Sequence, residues 1–179
     1  MQASEWAGRN QRFETVVLPH LKEVRSLARA LTNSGADADD VIQEATVRLL
    51  RFIHGYRGGD ARSWVLRVAR NTAVSWLRSN RRRNHFSFGD PQVAPEVEVH
   101  ECEDLFAIES RRRDAEALRR AIATLTREHR EIIVLRDLNG FQYSEIAAVL
   151  SIPMGTVMSR LSRARSVLQD RLVNEARAA

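Results

Sequence analysis

The sequence is poor in cysteine and in aromatic residues, and it has no long apolar run. Cys102 is the only cysteine among the 179 residues, which excludes an intrachain disulfide and indicates a reducing compartment. No apolar stretch approaches the roughly 20 residues that a membrane-spanning helix needs. The polar N-terminal segment lacks the apolar core of a signal peptide. We therefore expect a cytoplasmic protein without membrane insertion.

Lysine is also nearly absent, and almost all of the basic residues are arginines. Lys22 is the only lysine among 28 basic residues. Arginine binds phosphates and guanine edges through paired hydrogen bonds, so this bias is compatible with a nucleic-acid partner. A genome rich in G and C explains the same bias, and composition alone leaves both explanations open.

The net charge of +5 conceals three blocks of different sign. Residues 1–83 carry 15 basic and 8 acidic residues, and residues 111–179 carry 13 and 8. Between them, residues 84–110 carry 7 acidic residues and no Lys or Arg. Because this middle block also contains glycine and proline, it is typical of a flexible linker. The pattern predicts two basic domains, 1–83 and 111–179, joined by the acidic linker 84–110.

Apolar residues recur at helical spacing in both basic blocks, and neither block has a convincing strand pattern. The spacing predicts helices over residues 18–31, 37–52, 63–83, 111–125 and 128–138. Trp64 and Trp76 fall near the apolar stripe of their helix, so we interpret them as core residues rather than strand-opening wedges. The predicted fold class is all-α, with two small helical bundles joined by the acidic flexible linker.

Residues 141–165 predict a helix-turn-helix whose second helix is basic. Ser144 is predicted to cap the first helix, and Pro153 ends it because proline lacks a backbone donor. The second helix has an apolar stripe made of Val157, Leu161, Ala164 and Leu168. Short hydroxyls and arginines on its other face suit a DNA major groove, although a solvated helical hairpin shows the same pattern.

Two segments of the chain resemble the extracytoplasmic-function (group 4) sigma factors of bacterial RNA polymerase. One runs from Asp37 to Leu50 and continues through Tyr56-Arg-Gly-Gly-Asp60 and residues 64–73. The other runs from Leu125 to Arg136 and into the helix-turn-helix. The likeness extends over roughly residues 13–172.

The resemblance implies a division of labour between the two domains. Residues 1–83 correspond to sigma region 2, which docks on core polymerase and reads the −10 promoter element. Residues 111–179 correspond to region 4, which reads the −35 element. The implied function is that of an alternative sigma factor, controlled by an anti-sigma factor in a stress or extracytoplasmic response. The family uses no cofactor and is not an enzyme, because the polymerase core makes the RNA.

The resemblance also implies the residues that contact the polymerase, whose clamp helices in the largest subunit and flap in the second subunit are the expected partners. The residues expected on the clamp helices are Asp40, Gln43, Glu44 and Arg48. Acidic residues in the first turn of a helix also offset its dipole, and this simpler interpretation suits Asp37 better.

Promoter DNA is the other implied partner. The residues expected at the −10 element are Tyr56, Arg67, Arg70, Asn71 and Arg78. The residues expected at the −35 element are Thr156, Met158, Ser159, Arg160, Ser162 and Arg163. Met158 departs from the family pattern, because many relatives carry arginine there, and the preferred −35 sequence is therefore open.

Two other interpretations carry less of the sequence. His100 and Cys102, with His85 nearby, are potential metal ligands, but a site needs three or four converging ligands on a scaffold, and we predict no metal. A stand-alone DNA-binding regulator explains residues 119–172. It leaves the acidic helix, the segment from Trp64 to Asn71 and the linker without a function.

Overall fold

A computed structural model of the protein describes residues 2–32, 34–83 and 105–178. The helices are α1 (Gln2–Val16), α2 (Leu21–Thr32), α3 (Gly35–Phe52), α4 (Ala61–Arg83), α5 (Leu105–Ala123), α6 (Arg127–Ile133), α7 (Tyr143–Leu150) and α8 (Met154–Ala178). Short 3₁₀ turns lie at Leu18–His20 and Ile53–Gly55, and a π-helical turn lies at Val134–Leu138. These ranges contain no β-strand, which confirms the all-α prediction.

Helices α1 to α4 form the first bundle, in which α2, α3 and α4 pack against one another. The buried apolar residues recur at helical spacing, and include Val24, Leu27 and Leu31 on α2, Val41, Ala45 and Leu49 on α3, and Val65, Leu66 and Ala69 on α4. Burying each valine or leucine contributes roughly 1.5–3 kcal/mol. Trp64 and Trp76 are half-buried and pack against this core, in agreement with the core-packing interpretation.

Helix α3 begins at Gly35 rather than at Asp37, where the sequence predicts its start. The hydroxyl of Ser34 accepts a hydrogen bond from the Asp37 backbone N–H at 3.4 Å, so Ser34 is the N-cap. Serine is favoured there because its oxygen satisfies a donor that has no partner within the helix.

Helices α5 to α8 form the second bundle, in which α8 packs against α5, α6 and α7. Its buried apolar residues include Ile132, Ile133 and Leu135 after the start of α6, Ile146 and Val149 on α7, and Val157, Leu161 and Ala164 on α8. The turn between α7 and α8 depends on Ser151, whose φ of 55° is left-handed. The Ile152 N–H then donates to the Ala147 carbonyl at 3.1 Å, which closes the end of α7.

The prediction that Ser144 caps α7 is wrong. Helix α7 starts at Tyr143, so Ser144 lies inside its first turn, where its side chain is exposed. The capping position belongs to Gln142, whose extended backbone precedes the helix. The Gln142 backbone N–H donates to the Glu145 carboxylate, which is one half of a capping box.

The two bundles lie against each other, an arrangement that the sequence does not predict. Helix α4 packs on α7, and α2 packs on α6. The buried apolar residues of both bundles form one contiguous cluster. Residues 84–104 of the expected linker lie outside the described residues, and residues 105–110 belong to α5.

Candidate nucleic-acid interfaces and an acidic groove

Helix α8 begins with the residues for which the sequence predicts −35 contacts. Its apolar stripe is buried, with relative exposures of 0% for Val157 and Ala164 and 2% for Leu161. Of the predicted contacts, the exposed ones are Met158, Ser159, Ser162 and Arg163, and the half-buried ones are Thr156 and Arg160. One face of α8 is therefore held by the bundle while the other is presented to solvent, as a helix that enters a major groove requires.

Some polar groups near this face are hydrogen-bonded within the protein, and others are not. The Ser159 hydroxyl donates to the Thr156 carbonyl at 3.2 Å. Arg165 donates two hydrogen bonds to Asp137, at 3.2 Å and 2.5 Å, and this hydrogen bonding raises the pKa of Arg165. Within the described residues Arg160 and Arg163 have no ion-pair partner. Arg165 therefore braces α8, while the guanidinium groups of Arg160 and Arg163 remain available.

Helix α4 presents a polar strip, defined here as Arg67, Asn71 and Arg78. At 3.6 residues per turn these side chains fall within about 40° of one another around the helix axis. All three are exposed. Arg70, predicted to act with them, lies apart from the strip at the contact between the bundles. The strip combines arginines that attract phosphates with an amide that can bond a base edge.

The loop before α4 holds Tyr56 in a fixed position. Its hydroxyl donates to the Gly59 carbonyl at 2.6 Å, and its ring centroid lies 5.2 Å from that of Trp64. The loop turns at Gly58 and Gly59, whose φ values of 96° and 94° suit glycine because it has no Cβ. The Tyr56 ring is therefore braced by its neighbours close to the start of the polar strip.

Asp60 ends this loop and starts α4. Its carboxylate accepts a hydrogen bond from the Ser63 backbone N–H at 3.1 Å. Partial burial opposes ionisation, but the hydrogen bonds from Ser63 and the charge of Arg62 outweigh it and lower the pKa of Asp60. The carboxylate thus stays charged at the positive end of α4 and fixes the junction between loop and helix.

Helices α3 and α4 enclose an acidic groove of about 550 Å³. Its lining comprises Asp40, Gln43, Glu44, Val47 and Arg48 from α3, and Thr72, Ser75, Trp76 and Ser79 from α4. The structure therefore brings together all of the residues predicted to dock on the polymerase. Glu44 and Arg48 pair at 2.7 Å, which orders the middle of the groove.

Two apolar lining residues of the acidic groove escaped the sequence prediction. Val47 is 39% exposed on an otherwise polar face of α3, and Trp76 lies opposite on α4. Val47 could have been found from the sequence, because it is an apolar residue on the polar side of an amphipathic helix. Asp37 is not part of the lining, and burial together with the nearby charge of Asp40 raises the pKa of Asp37.

A cluster of charged residues joins the two bundles and was also missed. Arg62 donates to Glu23 at 2.8 Å within the first bundle and to the Asn139 carbonyl of the second. Its guanidinium carbon lies 3.7 Å from the centroid of the Phe141 ring.

Arg70 makes a second contact between the bundles. Its Nη2 donates to Glu131 Oε2 at 3.2 Å, and Arg127 of the second bundle approaches Glu131 Oε1 at 3.7 Å. No local pattern indicates the contact between Arg70 and Glu131, because the two residues are 61 positions apart.

The residues considered as metal ligands, His85, His100 and Cys102, lie outside the described residues. Among the described residues, no group of three or more potential ligands converges. No described helix is long and apolar enough to cross a membrane.

Comparisons with known families match both bundles. The Sigma-70 region 2 family matches residues 16–83, and the Sigma-70, region 4 family matches residues 115–168. The ECF RNA polymerase sigma-E factor of Escherichia coli (strain K12) is 34% identical over 173 residues, which cover 92% of this chain and 88% of the relative. The ECF RNA polymerase sigma factor SigE of Mycolicibacterium smegmatis is 29% identical, over 89% of this chain and 61% of the relative.

Two solved structures match along most of the chain. The sigma factor RpoE in complex with the anti-sigma factor NepR, from Bartonella quintana, has a TM-score of 0.73 and 26% identity, and covers 89% of this chain and 96% of its own. CnrH in complex with the cytosolic domain of CnrY has a TM-score of 0.63 and 26% identity, and covers 96% of this chain and 95% of its own.

The chain belongs to the ECF sigma factors of RNA polymerase. It is a transcription initiation factor that binds core polymerase and directs it to promoters. The match to region 2 covers the acidic helix and the segment from Trp64 to Asn71, which a stand-alone regulator leaves without a function.

Proposed function

We propose that this sigma factor binds core polymerase through the acidic groove and holds the promoter at two points. The polar strip of α4 and the loop of Tyr56 contact the −10 element, and the exposed face of α8 contacts the −35 element. One observation carries the proposal: the residues assigned to each partner are grouped, in the groove between α3 and α4, on the polar strip of α4 and on the exposed face of α8. Arg70 is the exception, because it lies at the contact between the bundles.

The polar strip suits a strand whose bases are unstacked. Flipping a base out of the stack costs a few kcal/mol and needs a wall that receives the base. Stacking on Tyr56 offsets roughly 1–3 kcal/mol of this cost. Because Trp64 and Gly59 already hold the ring, little side-chain freedom is lost when a base stacks on it. Asn71 on the polar strip supplies the hydrogen bonds that distinguish the base.

The exposed face of α8 suits duplex DNA. Arg160 and Arg163 are the candidates for bidentate contacts to guanine or phosphate. Ser159 and Ser162 are short enough to let the helix approach the base edges. Met158 is 46% exposed at a position that contributes an apolar contact instead of a charge.

An anti-sigma factor is the proposed regulator, in a stress or extracytoplasmic response. The likeness to RpoE in complex with the anti-sigma factor NepR supports this assignment. The flap of the second polymerase subunit is the proposed partner of the second bundle. In this proposal the sigma factor acts in the cytoplasm and catalyses no reaction itself.

Reversing one charge in the acidic groove tests the docking surface. Asp40→Arg places a cation where the proposal needs an acidic contact, and we expect affinity for core polymerase to fall about tenfold or more, equivalent to 1.4 kcal/mol. Retention of purified core polymerase on the immobilised sigma factor measures the change.

Asp39→Arg is the matched control, because Asp39 is exposed on the same helix but does not line the groove. This control is expected to retain core polymerase as the unaltered chain does. Equal retention by both variants would show that the polymerase docks elsewhere.

A further inference from the structure

The contact between the bundles uses Arg70, an arginine that the family resemblance assigns to the −10 interface. Arg70 is on the same helix as the polar strip, and its side chain is 22% exposed because the second bundle covers it. The partner that covers it is Glu131, whose side chain is completely buried. A carboxylate and a phosphate are interchangeable partners for a guanidinium, because both present two acceptor oxygens.

We propose that Glu131 is an intramolecular latch, which occupies Arg70 in place of a DNA phosphate and holds the second bundle against α4 beside the polar strip. The proposal rests on the assignment of α4 to the −10 element made above. Arg70 cannot bond Glu131 and a phosphate with the same donor, so the contact and the DNA exclude each other. Free sigma factor in this closed arrangement binds −10 DNA weakly until the bundles separate.

Arg62 supports the latch from the other end of the same surface. It is anchored on Glu23 of its own bundle, and it reaches across to the Asn139 carbonyl and the Phe141 ring of the second. Asn139 directly follows the π-helical turn, so the turn ends at the residue whose carbonyl accepts the hydrogen bond from Arg62. Arg62 is not among the proposed DNA contacts, so its removal loosens the contact without altering the polar strip.

The hydrogen bonding of the Arg70–Glu131 pair is incomplete. A buried ion pair is stable only where the remaining polar atoms of both partners are also bonded. Glu131 Oε1 and Arg70 Nε are buried and have no hydrogen-bond partner among the described residues, and the nearest cation to Glu131 Oε1, Arg127, stays 3.7 Å away. The pair therefore holds the closed arrangement weakly, and a partner that binds both bundles apart can displace it.

The test compares Glu131→Gln with Glu128→Gln in the full chain. Both substitutions remove one negative charge from α6, but Glu128 is 51% exposed and does not pair with the first bundle. Small-angle X-ray scattering measures the radius of gyration, which is about 16 Å for a compact chain of this length. Anisotropy of a labelled 12-nucleotide oligo(dT) at low salt measures access to the arginine face.

We expect Glu131→Gln to raise the radius of gyration clearly above that of the unaltered chain. We also expect it to bind the oligonucleotide at least about threefold more tightly than Glu128→Gln, since freeing one phosphate contact strengthens such binding. Equal radii for the unaltered chain and Glu131→Gln would overturn the latch. Equal affinities for Glu131→Gln and Glu128→Gln would overturn its role in excluding DNA.

A second variant covers the case in which Glu131→Gln disturbs the fold of the second bundle. Arg62→Gln changes only the first bundle, and it is expected to produce the same expansion and the same gain in binding. No change in either quantity would overturn the proposal.

Failure of the −10 assignment is recognised separately. In the opened Glu131→Gln chain, Asn71→Ala and Arg78→Ala should each weaken oligonucleotide binding. Unchanged binding would refute the −10 assignment, and with it the claim that the latch shields a −10 site. The scattering comparison would still decide whether Glu131 holds the bundles together.

Discussion

At the scale of single residues, the environment of each arginine determines what it can contact. Arg163 is exposed on α8 and has no ion-pair partner among the described residues. Arg165 lies two positions further on but is held by Asp137. Arg130 is buried, and burial lowers the pKa of its guanidinium. Arg163 is therefore best suited to bind DNA, whereas Arg165 and Arg130 serve the fold.

Arg163→Ala is expected to weaken binding to −35 DNA by about 1–3 kcal/mol, because one bidentate contact is lost. Binding to core polymerase should not change, since Arg163 lies on the exposed face of α8 and does not line the acidic groove. Anisotropy with promoter duplex and retention of core polymerase measure the two affinities.

The matched control for Arg163→Ala is Arg171→Ala, which removes an exposed arginine from the far end of α8. It should leave both affinities unchanged. Equal loss of DNA and polymerase binding in Arg163→Ala would contradict the assignment.

At the scale of helices, sequence periodicity predicted α2 to α8 well and their ends less well, and it missed α1. The stripe of Val157, Leu161 and Ala164 is buried as predicted, because a 3.6-residue period depends only on which face meets the core. Helix ends depend on single hydrogen bonds, and the sequence offers several candidates for each. At α7 the sequence indicates Ser144, but the Glu145 carboxylate bonds the backbone of Gln142 and so makes Gln142 the cap.

Two serine substitutions test these helix ends. Ser34→Ala removes the N-cap of α3 and should lower the free energy of unfolding by about 1 kcal/mol. Ser144→Ala removes a hydroxyl that caps nothing and should change it by less than about 0.5 kcal/mol. Urea denaturation followed by circular dichroism measures both, and a larger loss in Ser144→Ala than in Ser34→Ala would contradict the assigned caps.

At the scale of the whole molecule, the acidic groove was predictable and the contact between the bundles was not. Asp40, Gln43, Glu44 and Arg48 occupy positions i, i+3, i+4 and i+8 of one helix, so a local pattern places them on one face. The contacts of Arg62 and Arg70 with the second bundle join residues that are 77 and 61 positions apart, so no periodic pattern in the sequence indicates them. Such contacts depend on how the two folded bundles pack against each other.

The central claim is that this ECF sigma factor directs core polymerase to promoters by contacts at two points. Transcription from genomic DNA with purified core polymerase, followed by sequencing of the 5′ ends, tests it most directly. We expect discrete start sites that are absent with core polymerase alone, each preceded by a shared −10 motif and a shared −35 motif. Start sites that appear only after another sigma factor is added would contradict the claim.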